Sequence, residues 1–285
     1  MGDGLEFGDH QEGSLLMRDV QSERDRRNIP IDSVGVTSLA YPIVVRDKHE
    51  KTQHTVATVE MSVSLTKDYR GTHMSRFIEV LNSCNGHVTL QNLENIAQAL
   101  REHLNAVRAE VEFRFPYFAS RQAPVSGSTS FTRYDVVFWA ARDDTFDFTL
   151  TVSVPVSTLC PCSREISNKG AHNQRAEVRI TVRMNRLVWI EDLAEIAEES
   201  ASSPVFTLLK RDDEKFVTEK AYDNPRFVED VVRDVATRLD SDPRIDWYSV
   251  TVISHESIHA HDAFASLSRD KKKSDQCSQC KGGSL

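Results

Sequence analysis

The sequence predicts an α+β protein of two similar modules, each with an antiparallel sheet and helices packed on one face. Three observations carry this. Runs of strict alternation mark half-buried strands. Runs with apolar residues three and four apart mark amphipathic helices. Both kinds recur in the same order in the two halves of the 285-residue chain. The division falls near Ser120–Ser130 or slightly later, and the modules are assigned as 33–145 and 146–268. They lie between a charged N-terminal arm, 1–32, read as mobile, and a flexible tail, 269–285.

In the first module, Ala57, Val59, Met61, Val63 and Leu65 alternate with polar neighbours and predict a strand over Thr55–Leu65. Leu93, Ile96, Ala97, Leu100 and Leu104 share one helical face. Ala109, Val111, Phe113 and Phe115 alternate with charged residues and give a second strand. The stretch ASRQAPVSGSTSFTR (Ala119–Arg133) reads as a polar loop. The second module repeats the grammar. Phe146, Phe148, Leu150, Val152 and Val154 form a strand ending near Pro155, and Val178, Ile180 and Val182 form the next. Trp189–Glu199 is a short helix. Asn224-Pro225 reads as a helix start, followed by one face of Val228, Val231, Val232, Val235 and Leu239. Asp246–Ile253 is the last strand.

Composition excludes several classes. A formal charge of -8 argues against a general phosphate-backbone binder, so no nucleic-acid partner is expected. No apolar run approaches the roughly 20 residues of a membrane span. The opening MGDGLEFGDHQEG has no basic segment leading into an apolar one, so no signal peptide is expected. Five cysteines, Cys84, Cys160, Cys162, Cys277 and Cys280, are too few and too odd for a disulfide framework; a cytoplasmic protein with thiol or metal chemistry fits better.

The chemistry-bearing residues lie in the second half. Cys160 and Cys162 follow a strand end, where a loop presents a soft ligand or nucleophile to a cleft. A CxC pair alone is a weak signal, because cysteine also serves as a small apolar residue. His172 sits in the polar loop GAHNQR, with Arg175 three residues on; a guanidinium can meet phosphate oxygens in a bidentate way, so Arg175 and Arg164 are candidates for that, the alternative for both being a solvated surface. His255, His259 and His261 in SHESIHAHDA share a parity, and a continuing strand places all three on one side. The run KRDDEKFVTEKAYDNPRFVEDVV is rich in carboxylates. Of these, Glu229 stands in the first turn of the predicted helix, where it can accept two hydrogen bonds from an amidine-like edge such as that of guanine. A mixed set of cysteine, histidine and carboxylate from distant segments suits zinc, manganese or ferrous iron and points to a metal-dependent hydrolase.

LCPCSREIS with GAHNQR, LLKRDDEKFVTEKAYDNPRFVED, SIHAHDA and the earlier YRGTHMSRF together resemble GTP cyclohydrolase I of type IB, over roughly Ile31 to Ala265. The resemblance implies tandem tunnelling-fold modules and a homotetramer with active sites at subunit interfaces. It implies conversion of GTP and water to 7,8-dihydroneopterin triphosphate and formate. That is the first step toward folate, and in some organisms toward queuosine. It also implies metal ligands at Cys160, His172, Glu214 and His259, and a purine anchor at Glu229. Cys160, His172 and His259 then take the catalytic roles. His261, Arg164 and Arg175 are candidates for substrate contact, with Lys220 and Arg226 behind them. The rivals are the queuosine-pathway nitrile reductase, whose glutamate–serine–lysine motif is not visible here, and the archaeal-type cyclohydrolase with a cyclic phosphate product. A metal-buffering protein is the non-enzyme rival, and it gives no reason for a purine anchor.

Overall fold

Alternation at a period of two drives one side of every long strand into the core and leaves the other facing away from it. The computed structural model describes residues 19–21 and 23–272. Strands β1 (Ile31–Asp47) and β2 (Lys51–Leu65) form a long hairpin. Helix α1 (Met74–Ser83), the two-residue β3 (His87–Val88) and α2 (Leu90–His103) follow, then the hairpin β4 (Ala109–Gln122) and β5 (Thr129–Arg142). The Thr89 hydroxyl accepts the Asn92 N–H and caps α2. The second half opens with β6 (Phe146–Leu159), the one-turn α3 (Pro161–Ile166) and β7 (Asn173–Met184). Then come α4 (Ile190–Ser200), β8 (Ser203–Pro204), α5 (Arg211–Asp223), α6 (Val228–Ser241), β9 (Ile245–Ser254) and β10 (Ala263–Asp270).

The strands form one sheet in the order β10-β9-β7-β6-β5-β4-β2-β1-β3, with the short β8 on β6. Its long neighbours are all antiparallel, which lets short turns join them. The buried side carries Val59, Met61, Val111, Phe113, Val136, Val152, Val178, Ile180 and Val250. Onto it pack Leu93, Ile96 and Leu100 of α2, Leu193 of α4, and Val231, Val235 and Leu239 of α6. Each such side chain contributes roughly 1.5–3 kcal/mol on burial, so both halves are held by the same means. The opposite side is mixed: charged and hydroxyl residues such as Glu112, Arg114, Arg133, Asp135, Thr151 and Arg179 line an open cavity of about 670 Å³ together with Val56, Val137 and Trp139.

Four expectations are corrected. Asp246–Ile253 is not the last strand: β10 follows the 255–262 loop and pairs antiparallel along its edge, from Ala263 on Ser254 to Asp270 on Trp247. Ala119–Arg133 is not a loop. Its ends are strand, with Gln122 paired to Thr129, and only the tip between them turns. Small polar residues fit there because that end of the strands faces solvent on alternate positions. The helix predicted from Asn224-Pro225 begins later, at Val228; Asn224 instead ends α5 and gives its side-chain amide to the Ala201 carbonyl at 2.9 Å. The strand over Tyr248–Ile253 does not continue through the histidines: β9 ends at Ser254 and residues 255–262 form a loop, so the shared parity of His255, His259 and His261 sets no common face. Cys277 and Cys280 lie outside the described residues.

Candidate active site

β6 and β7 end together, and their last paired rung is Leu159 with Asn173. Cys160 and His172 are the next residues outward on each strand. The Cys160 N–H donates to the His172 carbonyl at 3.1 Å, so strand register alone brings the two side by side. The loop between them is closed by two further bonds. The Cys160 sulfur, as N-cap of α3, accepts the Ser163 N–H at 3.4 Å, and the Ser163 hydroxyl accepts the His172 N–H at 3.1 Å. The ring of His172 is half-buried, with Nδ1 2.9 Å from Gln174 Oε1 and 3.3 Å from Ser257 Oγ. Cys162 is exposed.

The end of β6 is pinned from below. The Leu159 N–H donates to the fully buried Ser202 hydroxyl at 3.1 Å. The Leu159 carbonyl accepts the Arg226 N–H at 3.0 Å. The segment leading into α6 therefore lies against the residue that precedes Cys160. Glu229 follows in the first turn of α6 and is exposed. Asp230, not Glu229, reaches back to the Phe227 N–H at 3.0 Å, which leaves the Glu229 carboxylate out of the cap. Arg164 of α3 lies 4.9 Å over the ring of Tyr222 on α5. Arg226 is held by Asp234 at 2.8 Å, and Arg175 is exposed.

Glu214 and His259 are placed differently. Glu214 is exposed in the first turn of α5, eight residues or about 12 Å along the helix from Tyr222. Its neighbour Asp213 is fully buried and accepts from Val125 N–H, Ser126 N–H, Ser126 Oγ and Lys210 N–H at 2.7–2.9 Å. Burial acts to raise the Asp213 pKa. The bonds from Ser126, Lys210 and Val125 outweigh it and hold the carboxyl well below the usual carboxylate range. His259 and His261 stack at 5.3 Å between ring centroids in the exposed loop after β9, and His255 Nδ1 lies 3.0 Å from Asp262 Oδ2.

Of the four candidate ligands, one chain thus joins Cys160 and His172. Among the described residues, no three His, Cys, Asp or Glu side chains come close enough to hold one ion. The donor types nevertheless fit a metal: Cys160 and His172 are cross-strand neighbours, and a cysteine thiolate and an imidazole are donors that zinc, manganese and iron accept. The 670 Å³ cavity on the sheet and a 540 Å³ apolar cavity at Phe138, Phe146, Phe148 and Met184 are lined by none of the candidate site residues.

Residues 17–265 match the family model for type I GTP cyclohydrolase folE2. A protein of Kosmotoga olearia named GTP cyclohydrolase FolE2 is 56% identical over 255 residues, covering 90% of this chain and 99% of that one. A protein of the same name from Fervidobacterium nodosum is 55% identical over 257 residues, covering 90% and 98%. The chain belongs to the type I GTP cyclohydrolase FolE2 family. It is accordingly a GTP cyclohydrolase I enzyme. Among solved structures, a urate oxidase from Bacillus sp. TB-90 shares the fold with a TM-score of 0.52 at 12% identity, covering 84% of this cyclohydrolase and 99% of that chain. At that identity the likeness is one of fold, and it agrees with the expected α+β tunnelling architecture.

Several residues of this candidate site carry no signal in the sequence. Gln174, Ser163, Ser202 and Ser257 are ordinary polar residues whose roles depend on which strand ends meet. Gln174 alone has a usable cue: it stands two positions after His172 at the start of a strand, and so on the same side. Tyr222 and Asp213 are hidden inside a run of charged residues.

Proposed function

We propose that the chain converts GTP and water to 7,8-dihydroneopterin triphosphate and formate at a metal-dependent site built on Cys160 and His172. The observation that carries this is the Cys160 N–H to His172 carbonyl bond, which makes a cysteine and a histidine cross-strand neighbours at one strand end in a chain of this family. In this reading Cys160, His172, Glu214 and His259 hold one zinc, manganese or ferrous ion. The chemistry such an ion supplies is activation of water near neutral pH.

The other roles fall to the chain's own groups. The exposed Glu229 carboxylate accepts from guanine N1–H and the exocyclic amine, and so orients C8. Arg175 and Arg164 meet triphosphate oxygens; Arg164 is held for this by the ring of Tyr222. His259 and His261, stacked in a loop, move protons during ring opening and reclosure. Glu214 and His259 are exposed, and among the described residues no three potential ligands come together in one chain, which supports a site completed at a subunit interface of a homotetramer. Metal-stripped protein is assayed for formate release and pterin fluorescence with Zn, Mn or Fe(II) restored, beside Cys160→Ala and Glu229→Ala. Turnover that needs metal and is lost in both variants is expected. Turnover of GTP with no response to metal sinks the metal site. A cyclic phosphate product moves the assignment to the archaeal-type reaction.

A further inference from the structure

We propose that Gln174 is a positioning residue that fixes the tautomer of His172, and that Glu256 sets the orientation of Gln174. The part of this inference that concerns metal affinity rests on the metal reading given under Proposed function; the tautomer does not.

The direction of every bond in the network follows from one end. An ionised Glu256 carboxylate only accepts. Its Oε1 lies 3.1 Å from Ser254 Oγ and 3.4 Å from Gln174 Nε2, so both of those donate to it. With its hydrogen given to Glu256, the Ser254 oxygen accepts from the Thr158 hydroxyl at 3.3 Å. With its own hydrogen given to Ser254, the Thr158 oxygen accepts the second amide hydrogen of Gln174 at 3.4 Å. Thr158 and Ser254 are each 1% exposed, so water does not replace these partners. Turning the Gln174 amide over would set its carbonyl against the Glu256 carboxylate and against a hydroxyl with no hydrogen to give.

Gln174 Oε1 therefore faces His172, 2.9 Å from Nδ1. A carbonyl oxygen accepts, so Nδ1 carries the hydrogen and Nε2 carries the lone pair. Ser257 Oγ, 3.3 Å from Nδ1 and 3.5 Å from Gln174 Oε1, lies on the same side and leaves Nε2 untouched. The result is an imidazole preset as an Nε2 donor before any ion arrives. Partners of this kind orient a ligating histidine and raise its basicity. The same network ties the start of the 255–262 loop, which carries His259 and His261, to the strand ends that carry Cys160 and His172.

The test uses the full-length protein and the variants Gln174→Leu and Glu256→Gln. Side-chain nitrogen shifts of metal-free protein labelled with 15N histidine report the tautomer. Competition with a chelator reports Zn affinity, and the Co(II)–thiolate charge-transfer band reports ligand geometry. Thermal melts check the fold. In wild type the Nδ1–H form is expected. Gln174→Leu loses that preference and weakens Zn binding about 10–100-fold, with an altered Co(II) band. Glu256→Gln lets the Gln174 amide turn over, so it mixes the tautomers and weakens Zn binding less; it decides the question on its own if Gln174→Leu does not fold. A wild-type His172 with its hydrogen on Nε2, or a folded Gln174→Leu with unchanged tautomer and affinity, overturns the proposal. If wild type binds no metal yet shows a Nδ1–H tautomer that Gln174→Leu abolishes, the positioning role stands and the metal reading falls.

Discussion

Ser202→Ala isolates the contact that sets the height of Cys160. The Ser202 hydroxyl is fully buried and accepts the Leu159 N–H at 3.1 Å; Leu159 itself is 3% exposed. Alanine removes the acceptor and opens no space for a bulk water to enter. A buried donor left without a partner costs about 1–3 kcal/mol. For a chain of this size each kcal/mol moves the melting temperature by roughly 2–4 °C, so a 2 kcal/mol loss predicts a fall of about 4–8 °C. The second effect is on geometry. Leu159 precedes Cys160 directly, and a shift of about 1 Å at a reacting group lowers catalysis about 100-fold. The assay pairs thermal melts at fixed protein concentration with kcat/KM from formate release. Ser203→Ala is the control, since that hydroxyl donates only to the carbonyl of the next residue, Pro204. If Ser202→Ala melts within about 1 °C of wild type, well inside the expected fall, and keeps its kcat/KM, the pinning argument is wrong.

Other perturbations test other parts of the molecule. Asp213 has a lowered pKa in the folded state, so its contribution to stability is complete above the unfolded carboxylate value near pH 4 and is lost as pH falls through the folded value. Asp213→Ala should melt lower at neutral pH, and acid titration of its stability should be shallower than that of wild type. Tyr248 is pushed up to about 12, by burial first and then by its hydrogen bond to Asp240. Its contribution is complete below the unfolded value near 10 and is lost as pH rises through about 12, so Tyr248→Phe should flatten the alkaline arm of the stability curve. Removal of metal by a chelator should abolish turnover while far-UV circular dichroism is retained, because backbone and Ser163 bonds already join Cys160 to His172. A chelated protein that loses its secondary structure contradicts this.

How much of the molecule is legible in the sequence follows from what each feature depends on. The strands of Val59–Leu65, Val111–Phe115 and Val178–Val182 are written in local alternation, and their core sides are buried as that alternation requires. The α2 and α6 faces are legible for the same reason. The first part of β5 is not, because Ser130, Thr132 and Arg133 hide a strand behind turn-like composition, although Tyr134 and Val136 are buried. The histidine loop misleads because parity holds only while a strand lasts, and nothing local marks its end at Ser254. Cys160 and His172 stand out by residue type. Their partners do not, because Gln174, Ser202 and Ser257 gain meaning only from register between strands far apart in the chain.

Long-range placement of this kind also makes the first half matter to a site whose candidate residues all lie in the second. Helix α5 carries Glu214 at one end and Tyr222 at the other. Its start is gripped by Asp213, which takes three of its four bonds from Val125 and Ser126 at the tip between β4 and β5. Its end is fixed by Asn224 on the Ala201 and Ser202 carbonyls and by Tyr222 beneath Arg164. The position of Glu214 is therefore set by a turn of the first half, and that of Tyr222 by the second. A substitution at the hairpin tip, such as Ser126→Pro, removes the Ser126 hydroxyl and N–H bonds to Asp213 at once without touching a candidate ligand. It should lower metal affinity and kcat together and leave the environment of Arg164 and Tyr222 unchanged. Unchanged metal affinity in a folded Ser126→Pro protein would show that α5 holds Glu214 without help from the first half.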